Sequence, residues 1–162
     1  MDPLRHQLLK MLEAHWAHMP FDDAVAGFPE DQMNAYPPNV PYTPWHILEH
    51  LRLTQFDILD YIRNPQYTGR EWPAGYWPAK DAKADKKAWD ATIAGFKADL
   101  EALCEIVKDE NTDFNAPIPH GWQPDHTILR ELLVVADHNA YHIGEFAILR
   151  QVMGTWPKDR KG

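Results

Sequence analysis

Cysteine is nearly absent from the chain: one residue, Cys104, among 162. A lone cysteine excludes an internal disulfide and suits a reducing cytoplasm, which is the expected location. It sits in a helical pattern with no His or Lys arrangement to activate it, so inert core packing is expected. Basic clusters are missing as well. The net charge is −8 and the densest basic stretch, Lys80 to Lys87, is interleaved with aspartates. Nucleic-acid binding needs a Lys/Arg patch that displaces counterions from phosphates, and no such partner is expected. No apolar run approaches the ~20 residues of a membrane span, and the opening "MDPLRHQLLKML" reads as the start of a helix rather than a signal peptide. Strand-like alternation is also lacking, and no internal repeat is found.

What the chain does have is apolar bulk: 44% hydrophobic residues, 12% aromatics and seven Trp. That composition and length suit one globular domain, residues 1–162. Four segments carry helical periodicity. The first runs from Asp2 to His18, with Asp2 as cap and Pro3 in the first turn. The second opens at "TPW" (43–45) and ends at Asn64-Pro65. The third covers Ala82 to Lys108, where Trp89, Ile93, Phe96, Leu100, Leu103 and Val107 alternate by four and three, a bundle seam. The fourth runs from Thr127 to Met153, stopped by Gly154 and Pro157. The predicted fold is all-α, a four-helix bundle. Its three connections, 19–42, 65–81 and 109–126, concentrate Pro, Gly, Trp and Tyr, and connections of that length commonly serve a function such as lining a pocket.

Two histidine pairs stand out. In "DHNAYHIGE" (137–145), His138 and His142 are four apart, so they differ by only ~40° around a helix and point the same way. Buried rings in that position can bond to backbone or Tyr groups, or they can share an ion. "WHILEHL" (45–51) repeats the interval with His46 and His50 on the second helix. Two facing helices that each offer histidines make the inward constellation from which bundle metal sites are built. The zincin pattern fails, because Asn139 stands where its general base belongs. "HILEH" (46–50) fits the inverted H-x-x-E-H form, but that chemistry belongs to larger α/β chains. His6, His15 and His18 are placed on the first helix without a role, and His126 is a candidate to reach a pocket.

Taken together, "PYTPWHILEHLRLTQFDILDYIRNPQY…WPAGYWP" and "PIPHG…TILRELLVVADHNAYHIGEFAILRQVMGTWP" resemble the DinB-like superfamily of bacterial metal-binding four-helix bundles. The resemblance implies metal ligands at His50, His138 and His142. It implies a homodimer, and it points to thiol transferases and isomerases that use low-molecular-weight thiols. The superfamily commonly has Gln where Glu145 stands, so Glu145 is a candidate outer partner, fourth ligand or plain surface group. His46 is a further ligand candidate or a residue at the site's rim. Asp57, two turns after His50, is a candidate to orient a ring N–H or to form a salt bridge. Gly144 is expected to admit a close neighbour.

Three neutral imidazoles leave a divalent ion its full charge and an open position, as in catalytic zinc. Such an ion lowers the pKa of bound water towards ~7 or stabilises a coordinated thiolate, so a hydrolase is the close variant of the thiol-transferase reading. Zn or Ni is expected first, with Fe, Co, Cu and Mn left open. The substrate is expected to be a small molecule, and Trp72, Tyr76, Trp77 and Trp122 are candidates to wall its pocket or to cover the bundle's ends. A bundle that binds metal without turnover, as sensor, store or interaction module, is the alternative.

Overall fold

The computed structural model describes residues 2–14 and 16–158, so His15 lies outside the described residues. Five α-helices are present among them: α1 (Pro3–Leu12), α2 (Phe21–Val25), α3 (Pro44–Arg63), α4 (Lys86–Lys108) and α5 (Ile128–Met153), with 3-10 turns at Glu30–Gln32 and Ala74–Tyr76. No strand occurs among these residues beyond one isolated bridge between Pro117 and Thr127. None of the helices is long and apolar enough to cross a membrane.

Each long helix starts where a side chain can take its orphan amides. Asp2, Thr43, Asp85 and Thr127 accept from the backbone of Arg5, His46, Ala88 and Arg130. α5 ends at Gly154, whose φ of 64° is a left-handed conformation cheap only for glycine. The first helix stops at Leu12 instead of His18, and Ala14 takes a positive φ of 55° where the chain turns away. α2 then forms inside the connection 19–42 and buries Phe21, Ala24 and Val25. The third long helix starts at Lys86 rather than Ala82. Residues just before it are engaged elsewhere: Ala84 exchanges hydrogen bonds with the Asn34 side chain, and the Ala82 carbonyl accepts from His46.

α3 is the central element, packed on both α4 and α5, while α1 closes against α4 and α5. Two apolar clusters fill the bundle. One gathers Phe21, Ile47, Leu51, Phe96, Phe146 and Leu149; the other gathers Leu8, Leu12, Ile58, Leu103, Val107, Leu132 and Val135. Cys104 is buried in the second, and burial pushes its thiol up to about 11. Polar ties cross the bundle at mid-height. Gln55 donates to the Phe96 carbonyl at 2.6 Å and accepts from Asn139 at 2.8 Å, which locks α3, α4 and α5 to one register. Arg150, fully buried, donates to the carbonyls of Ala24, Ala26 and Thr155 and lies 4.0 Å from the Trp156 ring centroid. It therefore pins α2 and the segment after α5 to the bundle. Gly144 departs from expectation: a Cβ there meets nothing within 4 Å, and the residue is exposed.

Candidate metal centre

The helix periodicity that placed the two pairs on inward faces holds, but the pairs do different work. His46 is the third residue of α3 and completes a capping box with Thr43. Its Nδ1 accepts from the Thr43 amide at 3.4 Å, so its Nε2 carries the proton and donates to the Ala82 carbonyl at 2.8 Å. Both ring nitrogens are spent, and His46 is neither a ligand nor a rim residue; it is a buried helix cap tied to the chain before α4.

One turn later, His50 faces α5. Its Nδ1 donates to the Tyr76 carbonyl at 2.7 Å, which leaves the Nε2 lone pair pointing inward. Trp77 lies flat on the same ring, with centroids 3.9 Å apart and planes 4° from parallel. From α5, His142 donates through Nδ1 to Glu145 at 2.7 Å, so its Nε2 is likewise an acceptor. Glu145 in turn accepts a short hydrogen bond from Tyr42. The Nε2 atoms of His138 and His142 lie 3.1 and 3.2 Å from Nε2 of His50.

This convergence is costly without a cation. Two of the three rings have their tautomer fixed from outside, so lone pair faces lone pair between His50 and His142. A proton on Nε2 of His138 could satisfy one contact with His50 but not the other. Protonating a ring further is opposed as well. Burial first, then repulsion from His142 and His50, pulls His138 down to about 3. Burial and His50 pull His142 to about 4. His50 is also lowered by burial, against the pull of the Tyr76 carbonyl. Three neutral imidazoles with converging lone pairs suit one divalent ion. Nitrogens at about 2.0–2.1 Å from a metal stand roughly 2.8–3.4 Å apart for right-angle to tetrahedral geometry, and the two spacings from His50 match that range. His50, His138 and His142 can hold one ion between them.

The carboxylates serve elsewhere than the ion. Glu145 holds His142 in orientation, and burial raises its pKa. Asp57 touches none of the three rings. It accepts from the hydroxyls of Tyr67 and Tyr76, both at 2.9 Å, with Arg70 at 3.6 Å. It acts on His50 only at one remove, by anchoring the turn whose Tyr76 carbonyl holds Nδ1. Desolvation first, then the bonded Asp57, raises the Tyr67 and Tyr76 hydroxyls well above the usual phenol range, so both stay protonated donors.

The three rings lie in the wall of a cavity of about 560 Å³ that Trp72, Tyr76, Trp77 and Trp122 also line, so of the two roles open to these four residues from sequence the structure has the pocket wall. His126 joins the same lining. The parts that sequence reasoning missed are Tyr42, Tyr61 and Tyr67, along with the Tyr76 carbonyl. A backbone acceptor leaves no trace in residue type, and Tyr42 and Tyr61 meet their partners, Glu145 and His126, far away in the sequence.

No curated protein and no solved structure matched this chain in comparison. A family model did, that of the DinB superfamily, over residues 11–146, which takes in α2, α3, α4 and all three histidines. The chain belongs to the DinB superfamily.

Proposed function

We propose that the protein is a divalent-metal-dependent enzyme acting on a small molecule, with His50, His138 and His142 as the only protein ligands and Zn(II) or Ni(II) as the ion. The observation that carries this reading is the convergence of three imidazoles, two of them fixed from outside by hydrogen bonds, on the wall of a cavity large enough for a drug-sized ligand. Bound there, the ion would supply Lewis acidity, easing deprotonation of a coordinated water or thiol and polarising a substrate oxygen.

The chain's own groups do the rest. Tyr76 and Glu145 keep two rings in the tautomer that presents Nε2. Trp77 covers one face of His50 and limits water there. Glu145 is occupied by His142 and Tyr42, which argues against a fourth carboxylate ligand and for a coordination position open towards the cavity. That favours turnover over a closed, storage-type site. Thiol S-transfer or isomerisation with a low-molecular-weight thiol, or hydrolysis, are the reaction classes that use such a position.

Elemental analysis of natively purified protein tests the ligand set, with expected stoichiometric metal in the wild type and loss in His50→Ala and His142→Ala. Full retention in both variants would refute the assignment. Screening electrophiles with several thiols, and esters or amides without them, tests catalysis. Metal without any turnover across both screens would leave a binding protein.

A further inference from the structure

The cavity extends well past the three histidines, along the groove between α3 and α5. At about 1.5 Å per residue, Tyr61 lies roughly 16 Å along α3 from His50, and Glu131 roughly 10 Å along α5 from His138. Between these ends the wall is aromatic. Tyr61, Tyr67 and Trp122 form a contiguous trio with ring centroids 4.9, 5.4 and 5.7 Å apart. Charge in the lining is cancelled in place: Asp57 by two hydroxyls and Arg70, Glu131 by Arg130 at 2.5 Å. Arg130, the one cation in the lining among the described residues, is paired with Glu131, so away from the three histidines a carboxylate tail meets no unpaired positive charge.

The distal end carries one polar device. The Trp122 amide donates to the Tyr61 hydroxyl at 2.8 Å, and the phenol's own proton has Nδ1 of His126 as its acceptor at 2.7 Å. With Nδ1 accepting, a neutral His126 keeps its proton on Nε2, which has no partner among the described residues. Nearer the histidines, the buried Thr54 hydroxyl also lines the cavity without a partner.

We propose that the molecule filling this cavity is a neutral, elongated aromatic compound, its metal-binding group at the three histidines and a hydrogen-bond acceptor at its far end on Nε2–H of His126. The proposal rests on the metal-site reading for the first of these contacts. A small polar thiol is then a co-substrate and not the occupant of the aromatic groove.

Three hydroxamates serve as probes of zinc-loaded protein in calorimetry: acetohydroxamate, 4′-methoxybiphenyl-4-hydroxamate, and 7-carboxyheptanohydroxamate, of similar reach but charged at its tail. Burying two rings should make the biphenyl probe about 30-fold or more tighter than acetohydroxamate. His126→Phe should cost that probe about 3–10-fold while leaving acetohydroxamate unchanged, and His126→Gln, which retains a donor, should recover part of the loss. Equal affinities for the biphenyl and acetyl probes, or preference for the charged tail, would overturn the proposal while leaving the metal reading intact. A protein that retains no zinc would instead sink the metal reading. In that event 4′-methoxybiphenyl without the hydroxamate, followed by tryptophan fluorescence, still decides the groove: saturable quenching that weakens in His126→Phe supports it, and no quenching overturns it.

Discussion

Glu145→Ala removes the acceptor that fixes His142, and its consequence for metal affinity can be worked out from the geometry. In the wild type the 2.7 Å bond from Nδ1 holds the ring so that Nε2 faces His50. Without it both tautomers of His142 become accessible and the ring loses its orientation, although the ligand itself is still present. Outer partners of metal-bound histidines are typically worth about 10–100-fold in affinity, or roughly 1.4–2.8 kcal/mol. Glu145 also holds the Tyr42 hydroxyl, which loses its partner in the same variant. The upper half of that range is therefore expected. Competition for Zn(II) against a chromophoric chelator measures the affinity, with circular dichroism confirming the fold. Glu145→Gln keeps an amide oxygen able to accept from Nδ1 and should stay within about 10-fold of the wild type. Zinc bound by Glu145→Ala as tightly as by the wild type would show that the carboxylate does not organise the site.

Asp57→Asn should weaken zinc less than Glu145→Ala in the same competition, because it reaches His50 only through the Tyr76 turn; an effect larger than that of Glu145→Ala would contradict the indirect arrangement. Saturating zinc at about 1,000 times its Kd should stabilise the wild type by about 4 kcal/mol, read as a raised Tm, and should do nothing for His138→Ala. Arg150→Met keeps the apolar stem but strands three carbonyls, so denaturant unfolding should show a loss of about 3 kcal/mol or more; a neutral result would mean that water replaces the guanidinium. For Cys104, burial raises the folded thiol to about 11 from an ordinary value near 9, so the stability it contributes is complete below pH 9 and lost as pH climbs towards 11. Cys104→Ala should flatten the fall in Tm over that window, and a disulfide reagent at pH 8 should label the thiol only on unfolding.

The long helices could be read from the chain because their signals are local: Asp2-Pro3, Thr43-Pro44 and Thr127 as starts, Gly154 as a stop, and apolar residues at helical intervals. That His138 and His142 point the same way was legible for the same reason, since a four-residue interval on a helix fixes direction, whereas the choice of His50 over His46 came from the DinB-like resemblance and not from spacing. Where the reading failed, a distant contact decided. The spacing of His46 matches that of His50, yet its place three residues after Thr43 makes it a cap, and Ala82 from another connection takes its second nitrogen. Asp57 shares a helix face with His50, but Tyr67 and Tyr76 reach it first. The late start of α4 depends on Asn34, some fifty residues away, and α2 lay hidden in a connection that proline and glycine made look irregular.

The turn at residues 74–77 gives His50 its hydrogen-bond acceptor through Tyr76 and its flat cover through Trp77, and the same two residues border the cavity. An ion held by the three histidines and a guest in the cavity would therefore share one piece of backbone. Thermodynamic linkage makes such sharing symmetrical: if a guest grips the turn and strengthens ion binding by some factor, the ion strengthens guest binding by that same factor. On this account an idle molecule leaks its cation faster than a working one, and dialysis against chelator with and without guest becomes a measure of how tightly the two events are geared.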